Sequence, residues 1–589
     1  MIRCSVAAFG ILSLAPFLPT SSSAAEHEAI RLLPETTVLY AEISNPPKLL
    51  STIFDNPLAA KIQETEPWQQ AIRKDDYRNF LAGRKFVEIQ LGMEWREALD
   101  TLLAQGVYFG VDSKTQGVAV LVRARDAASM DLFRAKLLEL TKLGKNPDQI
   151  KEGEYRGLTV YDANKAKFAV VDEWLLITNK PETGKDVLDR LLDSGDDCLA
   201  ENQQFKTAVA ARDSNDTFWA FADLTTIRNA GVAKKLFAGK SENPAVELLI
   251  GGILSSLQQT PYATASVTAS KADLSLALSI PHNSDWVPEE REFYFGPGGE
   301  GQSPALPEVR DTLFTLSTYR DVSEMWLRAG DLFNEQINDG FAEADANLTT
   351  LFAGRDFGED ILGSLTPEIG FIASKQDFTD ILPVPAIKLP QFALVVELRD
   401  PEKMTRELRR TYQSMIGFFN VIGAMEGRPQ FEMGMEKLDD AELVTATYVP
   451  EEDDAESTNA DIIFNFSPSV GFAEERFVVA STDRLARELV SAQAPRVAAE
   501  SANTTASLQA AVLKDVLEDN REQLISQNML EEGNSREEAE AAIGLFLDFI
   551  DHLDDASLKL QAVDDNLSLK FQLRVKESGS VPVYPSHSK

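Results

Sequence analysis

The feature that most constrains the fold of this chain is an internal repeat. Leu33, Pro34 and Glu35 precede a strand-like segment, and the same triplet returns as Leu306, Pro307 and Glu308 before another strand-like segment. The paired segments, in chain order, are 33–35 with 306–308, 106–112 with 368–374, 172–192 with 474–492, 215–224 with 503–512, and 262–280 with 556–574. Because the order is preserved throughout, the chain is predicted to be a duplicated architecture.

Within each copy, pairs of short strands alternate with single helices. This alternation predicts an α+β fold with a mostly antiparallel sheet and helices packed on one face, present as two diverged copies. The predicted organisation is a signal peptide at 1–25, a first module at 26–281, a Pro/Gly-rich linker at 282–308, a second module at 309–576 and a flexible tail at 577–589.

The second copy contains two insertions between predicted strands. Residues 378–390 are apolar and Pro-rich, and residues 450–460 are acidic and typical of turns. Both are predicted to be loop extensions, and loops commonly carry function. These loops, together with the cleft between the copies, are therefore where we expect function to reside.

The N-terminus has the pattern of an export signal. Arg3 precedes an apolar run at 6–18, which is too short to span a bilayer, and small residues follow at 20–25. Cleavage after Ala24 or Ala25 would place the protein in the periplasm or outside the cell. It would leave Cys198 as the single cysteine, so no internal disulfide is expected. The carboxylates around that thiol would raise its pKa, which argues against a nucleophile.

The net charge is −36, from 57 Lys and Arg against 93 Asp and Glu. Such a surface repels nucleic acid and anionic membranes, and it attracts divalent cations only loosely. The acidic segments at 193–197 and 451–454 lack the spacing of a calcium-binding EF-hand. No segment after the signal is long and apolar enough for a membrane span. The expected partner is an unidentified protein or a component of the cell envelope.

Searches for common active-site motifs fail on physical grounds. The glycine-rich run at 296–301 is not followed by the helix that a dinucleotide site needs, and the sequence at 239–241 has Lys234 where a phosphate loop requires glycine. A Ser-His-Asp site would have to use His282 or His552, and neither accompanies a nucleophile elbow. The sequence therefore assigns no catalytic, cofactor-binding or metal-binding residue, and no cofactor is expected.

A resemblance to a known group of proteins rests on four segments: the opening at Leu33, the strand at 106–112, and the strand-then-helix segments at 172–192 and 474–492. In these segments the chain resembles secreted bacterial proteins of unknown function, numbered 3352 among domains of unknown function. The resemblance covers roughly 33–280 and 306–575. It implies the architecture and supplies no catalytic residue to transfer.

These observations predict a non-enzymatic exported protein that binds a partner or serves a structural role in the periplasm or cell envelope. The alternative is an extracellular hydrolase that acts on polymers through a carboxylate pair. A deep pocket with two convergent carboxylates in only one copy would favour the hydrolase. A third possibility is a module that assembles through exposed sheet edges or the concave face between the copies.

Overall fold

The structure is a computed structural model. It describes residues 29–576 apart from 56–62, 64–71, 74, 143–149, 165, 194, 196, 235–236, 238–240, 353, 380–381, 439, 451–455, 493–500 and 564. The predicted signal peptide and tail therefore lie outside the described residues. Contacts divide the chain into two units: unit 1 contains Met1–Pro47 and Glu88–Thr207, and unit 2 contains Lys48–Val87 and Ala208–Lys589.

Unit 1 combines seven strands with helices that follow them in the chain. Its strands are β1 (Thr37–Ile43), β2 (Val107–Asp112), β3 (Gly117–Arg123), β4 (Lys151–Tyr155), β5 (Leu158–Ala163), β6 (Ala166–Val171) and β7 (Trp174–Thr178). The helices around and within it are α1 (Pro46–Phe54), α2 (Asp75–Leu91), α3 (Trp95–Leu102), α4 (Ala127–Lys142), α5 (Pro181–Asp193) and α6 (Gln203–Ala210), with a 3-10 turn at Leu199–Glu201. Helices α1, α2 and α6 contain the boundaries between the units.

The unit 1 strands form one antiparallel sheet in the order β4-β5-β6-β7-β3-β2-β1. Burial alternates along β2, as expected for a strand with one face toward a core. Helix α4 packs on the sheet face that carries Tyr161, Phe168 and Leu175. Helix α5 lies on the other face, so this part of the sheet is covered on both sides.

Unit 2 contains the remaining strands. They are β8 (Phe218–Asp223), β9 (Tyr262–Ala269), β10 (Asp273–Pro281), β11 (Thr312–Tyr319), β12 (Glu368–Ser374), β13 (Gln391–Glu397), β14 (Phe431–Lys437), β15 (Ala441–Tyr448), β16 (Ser469–Ala473), β17 (Arg476–Ala480), β18 (Thr504–Gln509), β19 (Leu553–Val563) and β20 (Asn566–Val575).

The helices of unit 2 lie between these strands, singly or in runs of two or three. They are α7 (Leu224–Asn229), α8 (Pro244–Gln259), α9 (Glu292–Phe295), α10 (Val322–Leu327), α11 (Ala329–Leu332), α12 (Glu335–Leu351), α13 (Pro401–Glu426), α14 (Asp483–Ser491), α15 (Ala510–Asp519), α16 (Arg521–Glu532) and α17 (Arg536–Asp551). Short 3-10 or π turns occur at Ser284–Trp286, Glu289–Arg291, Pro297–Gly299, Phe357–Ile361, Leu362–Ser364 and Ile462–Asn465.

The unit 2 strands form a continuous antiparallel sheet in the order β8-β9-β10-β20-β19-β18-β11-β12-β13-β17-β16-β15-β14. The predicted α+β class with a mainly antiparallel sheet is thus confirmed. The stretch β11-β12-β13-β17-β16-β15-β14 has the same strand order as β1-β2-β3-β7-β6-β5-β4 in unit 1. A duplication would produce this agreement, and both the two-copy arrangement and the module boundaries drawn from the sequence stay predictions.

The segment that the sequence presents as a linker, 282–308, contributes to a core. Helix α9 places Phe293, Tyr294 and Phe295 in a buried cluster with Met325 and Leu332. Glycines that follow the short helix allow tight turns, for example Gly296 at φ 73°. The Pro and Gly content therefore reflects turns around an apolar anchor as well as a connection.

A buried ion pair accompanies this anchor. Glu247 on α8 accepts two hydrogen bonds from Arg291, at 2.6 Å from Nε and 3.0 Å from Nη2. Arg291 also donates to Ser255 at 3.1 Å. The bidentate geometry satisfies both buried charges, which explains how a helix with a glutamate on its apolar side is stable.

Two sequence-based interpretations need correction. The sequence at 322–352 predicts one long helix after the first strand of the second copy, but the structure has three helices there, because the backbone at Phe333 is extended and the Asn334 side chain caps α12 by accepting from the Ile337 amide. Strand β4, with the sequence KEGEY, was not predicted, since it lies at a sheet edge and has no apolar alternation. Within the described ranges, no helix meets the length and apolarity that a membrane crossing requires.

Candidate functional site

A pocket of about 370 Å³ lies in unit 1 between the sheet and helix α5. Its floor is one row of residues across four neighbouring strands: Gly153 on β4 pairs with Val160, Val160 with Ala169, and Ala169 with Leu176. Residues that pair directly point to the same face of a sheet. Gly153 and Ala169 have almost no side chain above the sheet, so an apolar hollow remains over this row. We call this hollow the lysine-rimmed pocket.

The next row across the same strands forms a polar rim. Lys151 pairs with Asp162, Asp162 with Lys167, and Lys167 with Thr178. Lys167 Nζ lies 3.2 Å from Asp162 Oδ2. The row thus sets two cations and one carboxylate beside the apolar floor, although the whole chain carries a large negative charge.

Helix α5 forms the wall of the pocket with Pro181, Gly184, Lys185 and Leu188. A Cβ at Gly184 would come within 2.9 Å of Thr178 Cγ2, so glycine permits the close approach of the helix to β7. Lys185, which is exposed, adds a third lysine to the rim.

Tyr155 closes one side of the pocket and is held by helix α5. Its hydroxyl donates to Asp189 at 2.9 Å, and Lys185 Nζ lies 5.5 Å from the centre of its ring. Arg156 donates to Asp189 at 2.8 Å and to Asp193 at 2.6 Å. These contacts tie the edge strand β4 to α5 and hold the pocket open.

Three groups here have a pKa shifted in the direction that favours their usual charge state near neutral pH. The hydrogen bond from Lys167 lowers the pKa of Asp162. The hydrogen bond to Asp189 raises the pKa of the Tyr155 hydroxyl, and the Arg156 guanidinium lowers the pKa of Asp193. The rim on the α5 side carries three lysines and one ionised aspartate, and Glu152 and Glu154 also line the pocket, so the lining as a whole combines three lysines with three carboxylates.

The equivalent place in the second half of the chain is closed. The corresponding row there is Glu436, Leu443, Gly471 and Val478. Arg487 lies seven residues after the end of β17, as Lys185 lies seven residues after the end of β7, and it donates to Glu436 at 2.8 Å.

An ion pair thus replaces the Gly153 and Lys185 of the first half. Beneath it, the side chains of α14 fill the core: Leu485, Ala486, Leu489 and Val490 are buried against the sheet. The open pocket is a difference between the halves.

The carboxylates that line the open pocket do not converge. Glu152 and Glu154 alternate with Gly153 along β4 and so belong to the other face of the strand. Of these three lining carboxylates, only Asp162 shares the floor face. The lining residues include no Ser, Cys or His. This arrangement can hold an apolar group and an anion, and it lacks the paired carboxylates of a glycoside hydrolase.

The two inserted loops of the second half, where we expected function, are bound to each other. Backbone hydrogen bonds join them at Val384 N to Ser457 O, at Ala386 N to Ala460 O and at Ala460 N to Val384 O, at 2.9 to 3.0 Å. The buried Asn465 accepts from the Leu389 amide and donates to the Ile387 carbonyl, both at 2.8 Å.

A polar cavity of about 1000 Å³ adjoins these loops. Its lining includes four cations and five carboxylates: Arg310, Asp311, Lys375, Asp377, Lys388, Arg484, Glu488, Asp515 and Asp519. Lys375 pairs with Asp519 at 3.0 Å and Arg484 with Asp377 at 3.5 Å. Because two of its four cations are paired with lining carboxylates and its lining has little apolar surface for a ligand body, the cavity gives weaker grounds for an amphiphilic ligand than the lysine-rimmed pocket.

Of the two acidic segments that the sequence offers for calcium, the structure describes only residues of the first. Asp193 and Asp197 accept hydrogen bonds from Arg156 and Arg190, respectively. The segment 451–454 lies outside the described residues. In the described part of the chain, no cluster of three or more His, Cys, Asp or Glu residues could hold a metal ion.

The structure also places the residues weighed for nucleophilic chemistry. Cys198 is buried. His282 Nδ1 lies 2.9 Å from Ser256 Oγ, and both side chains are buried. His552 Nδ1 contacts the Asp548 carbonyl at the end of α17. The Ser256 hydroxyl also donates to the Gly252 carbonyl at 3.2 Å, as a helix side chain commonly does.

Comparisons with known proteins give little. No protein-family model matches the chain, so the resemblance to class 3352 gains no support, and no curated protein matches it.

Among solved structures, the chain is similar to crystal form IV of TP0453, with 10% identity and a TM-score of 0.25 over 43% of this chain and 79% of that one. Crystal form III matches with 10% identity and a TM-score of 0.23, over 43% and 78% of the two chains. Crystal form I matches with 11% identity and a TM-score of 0.22, over 43% and 77%. We infer no function from similarities at this level.

Proposed function

We propose that this chain is an exported, non-enzymatic binding protein of the periplasm or cell envelope, and that the lysine-rimmed pocket holds its ligand. The ligand class is a small amphiphile with an apolar body and an anionic head group. One observation carries the proposal: a row of Gly153, Val160, Ala169 and Leu176 lies directly beside a row with two lysines. The pocket volume lies within the range of ordinary ligand sites.

The lysines of the rim are informative because the chain as a whole is strongly acidic. A chain with a net charge of −36 repels anions at long range. Lysines gathered at the mouth of an apolar pocket offset that repulsion locally, and their stems can lie along an alkyl chain while the ammonium groups meet the head group. The alternative, a carboxylate-dependent hydrolase, has less support because the lining carboxylates do not converge.

The first test is direct binding to the full mature chain, residues 26–589. Isothermal titration calorimetry with saturated C8 to C14 carboxylates and alkyl phosphates is expected to show saturable binding. The matching alcohols should bind more weakly, and alkyltrimethylammonium ions should bind least. Turnover of a polysaccharide or ester panel without such binding would instead favour the hydrolase.

The matched variant fills the pocket with a larger side chain. Gly153 has ordinary strand geometry, and a Cβ there would meet Val160 Cγ2 at 3.5 Å, so Gly153→Val fits the backbone and occupies the hollow. We expect affinity to fall at least about tenfold, because each excluded CH₂ is worth about 0.8 kcal/mol. Thr159→Val, on the opposite face of β5, is the control and should leave binding unchanged.

The rim is tested separately. A Lys151→Gln, Lys185→Gln double variant should remove the preference for the carboxylate over the alcohol, while affinity for the alcohol stays as it was. Equal affinity of this variant and the parent for the carboxylate would contradict the role of the rim.

A further inference from the structure

A groove of about 970 Å³ lies in unit 2, over one face of strands β11, β18, β19 and β20. Two neighbouring rows of directly paired residues form its floor, and every side chain in them carries a hydroxyl, an amide or an ammonium group. The first row is Thr315, Ser507, Ser557 and Gln572, and the second is Ser317, Thr505, Lys559 and Lys570. We call this groove the hydroxyl groove.

The segment that leads into β11, 303–309, forms one wall of the hydroxyl groove and is fixed in place by the protein itself. Ser303 donates to the Ala502 carbonyl from its amide at 2.8 Å and from its hydroxyl at 3.0 Å. Leu306 lies over Gly370 on β12, where the glycine leaves room for the leucine side chain. The groove therefore has a formed wall as well as a formed floor.

Two lysines stand directly opposite each other in the floor. Lys559 on β19 pairs with Lys570 on β20. Like charges at directly opposed positions destabilise a sheet, and an anion bound between them would relieve that repulsion. The lining as a whole contains three cations and one carboxylate, Glu308, in a chain with a net charge of −36.

The carboxylates gather at the other end of the groove. Arg574, the third cation of the lining, lies four residues along β20 from Lys570, which is about 13 Å. The carboxylates around it are those of Asp273, Asp554 and Asp555. Glu308 lies toward the same end, because the adjacent Val309 carbonyl accepts from the Thr312 hydroxyl at the start of β11. The groove thus has a lysine end and an acidic end, with a row of hydroxyls between them.

Part of the hydrogen-bonding capacity of the floor is unused by the protein. The Thr315 and Ser507 hydroxyls bond to each other at 2.7 Å. Within the described part of the chain, the hydroxyls of Thr505 and Ser557 have no protein partner. A hydroxyl both donates and accepts, as the hydroxyls of a sugar do. The lining contains no aromatic ring, so recognition here depends on hydrogen bonds and charge.

The first half has a packed core at the corresponding place. Tyr40 on β1 pairs with Gly110 as Ser317 on β11 pairs with Gly370. Tyr40 is buried, and its ring meets the Phe205 ring edge-on with the centres 5.3 Å apart. The second half has a serine hydroxyl at this position, so the hydroxyl groove is a difference between the halves.

We propose that the hydroxyl groove binds a phosphorylated sugar. The phosphate lies at the lysine end, because lysine ammonium groups bind phosphate as point charges. The sugar lies over the row of hydroxyls, where Ser557 and the neighbouring Thr505 exchange hydrogen bonds with it. The groove is far larger than a phosphate ion, which leaves room for the sugar. This site is separate from the lysine-rimmed pocket, whose floor is apolar.

The test is isothermal titration calorimetry of the mature chain, residues 26–589, with glucose 6-phosphate at low salt. We expect saturable binding that weakens as NaCl is added, with weaker binding of inorganic phosphate and weaker binding still of glucose. Displacement of the chain from phosphatidylinositol 4-phosphate vesicles by glucose 6-phosphate would also support the site, with a lipid head group as the source. No binding of glucose 6-phosphate, or binding equal to that of inorganic phosphate, overturns the proposal.

Two double variants separate the phosphate contacts from the sugar contacts. Lys559→Gln, Lys570→Gln should lower the affinity for glucose 6-phosphate at least about tenfold, because two charge-assisted contacts are lost. Thr505→Val, Ser557→Ala keeps the lysines. It should lower the affinity for glucose 6-phosphate about three- to tenfold and leave that for inorganic phosphate unchanged.

The matched control is Lys403→Gln, Lys437→Gln, which makes the same change in net charge at two exposed lysines outside the groove. It should bind glucose 6-phosphate as the parent does, and near-ultraviolet circular dichroism verifies that each variant is folded. A saturated C12 carboxylate, which probes the lysine-rimmed pocket, should not displace glucose 6-phosphate. Displacement would assign the binding to that pocket, and an equal loss of affinity in the control would assign it to overall charge. Either result overturns the proposal.

Discussion

His282 shows how one buried side chain couples the stability of this chain to pH. Burial lowers its pKa below the ordinary value, and the Asp565 carboxylate acts in the opposite sense. A histidine with a lowered folded-state pKa contributes fully to stability above its unfolded pKa of about 6.5. As the pH falls below that value, the unfolded state takes up a proton that the folded state resists. This histidine therefore destabilises the fold on acidification.

We expect the free energy of unfolding, from urea denaturation at pH 7, 6 and 5, to fall less steeply in His282→Gln than in the parent. The difference cannot exceed about 1.4 kcal/mol per pH unit for one proton. Glutamine retains a group that can bind Ser256, so the comparison isolates the titration. Equal slopes in the two proteins would assign the acid sensitivity to carboxylates.

The candidate site could not be predicted residue by residue from the sequence. Gly153, Ala169 and Gly184 leave space for the pocket because their side chains are absent or small. Small residues alone form no recognisable sequence motif. The lysines come from β4, β6 and α5, and only the strand register brings them together. The available signal was the comparison of the two halves, in which Arg487 and Glu436 replace Lys185 and Gly153.

At the scale of elements, the inserted loops of the second half are expected to behave as one unit. Asn465 is buried and joins the loop at 378–390 to the turn after the loop at 450–460. Asn465→Ala leaves the Leu389 amide and the Ile387 carbonyl without this partner, which costs about 1–3 kcal/mol for each buried group that stays unsatisfied.

Hydrogen exchange should therefore accelerate at the Leu389 and Ala386 amides of Asn465→Ala, with little change in β12 or β13. Asn459→Ala, which alters an exposed asparagine of the same loop, is the matched control. Unaltered protection at both amides would show that the loops hold each other without Asn465.

Elements with clear periodicity were predictable, and those set by tertiary contacts were not. Strand β1 at Thr37–Ile43 and helix α8 near 245–257 follow from alternation and helical period. The polar edge strand β4 has no such signal. The break at Phe333 depends on its burial against α11 and α12, which the sequence of a single helix does not reveal.

At the scale of the whole molecule, the halves share a strand order and differ in what they leave open. The first half keeps a pocket, whereas the second closes the corresponding place with the ion pair of Arg487 and Glu436. A duplication would produce this shared strand order, and the proposed lysine-rimmed pocket lies where the two halves differ.

The net charge of −36 leads to the last prediction. Self-repulsion among excess carboxylates destabilises the folded state, while exposed ion pairs such as Arg156 with Asp189 and Asp193 contribute little each. Repulsion should dominate, so the melting temperature should rise between 20 and 500 mM NaCl as the screening length shortens to a few ångströms. At pH 5, where more carboxylates are protonated, the same salt series should raise it less. A melting temperature that falls with added NaCl at pH 7 would show instead that the ion pairs outweigh the repulsion.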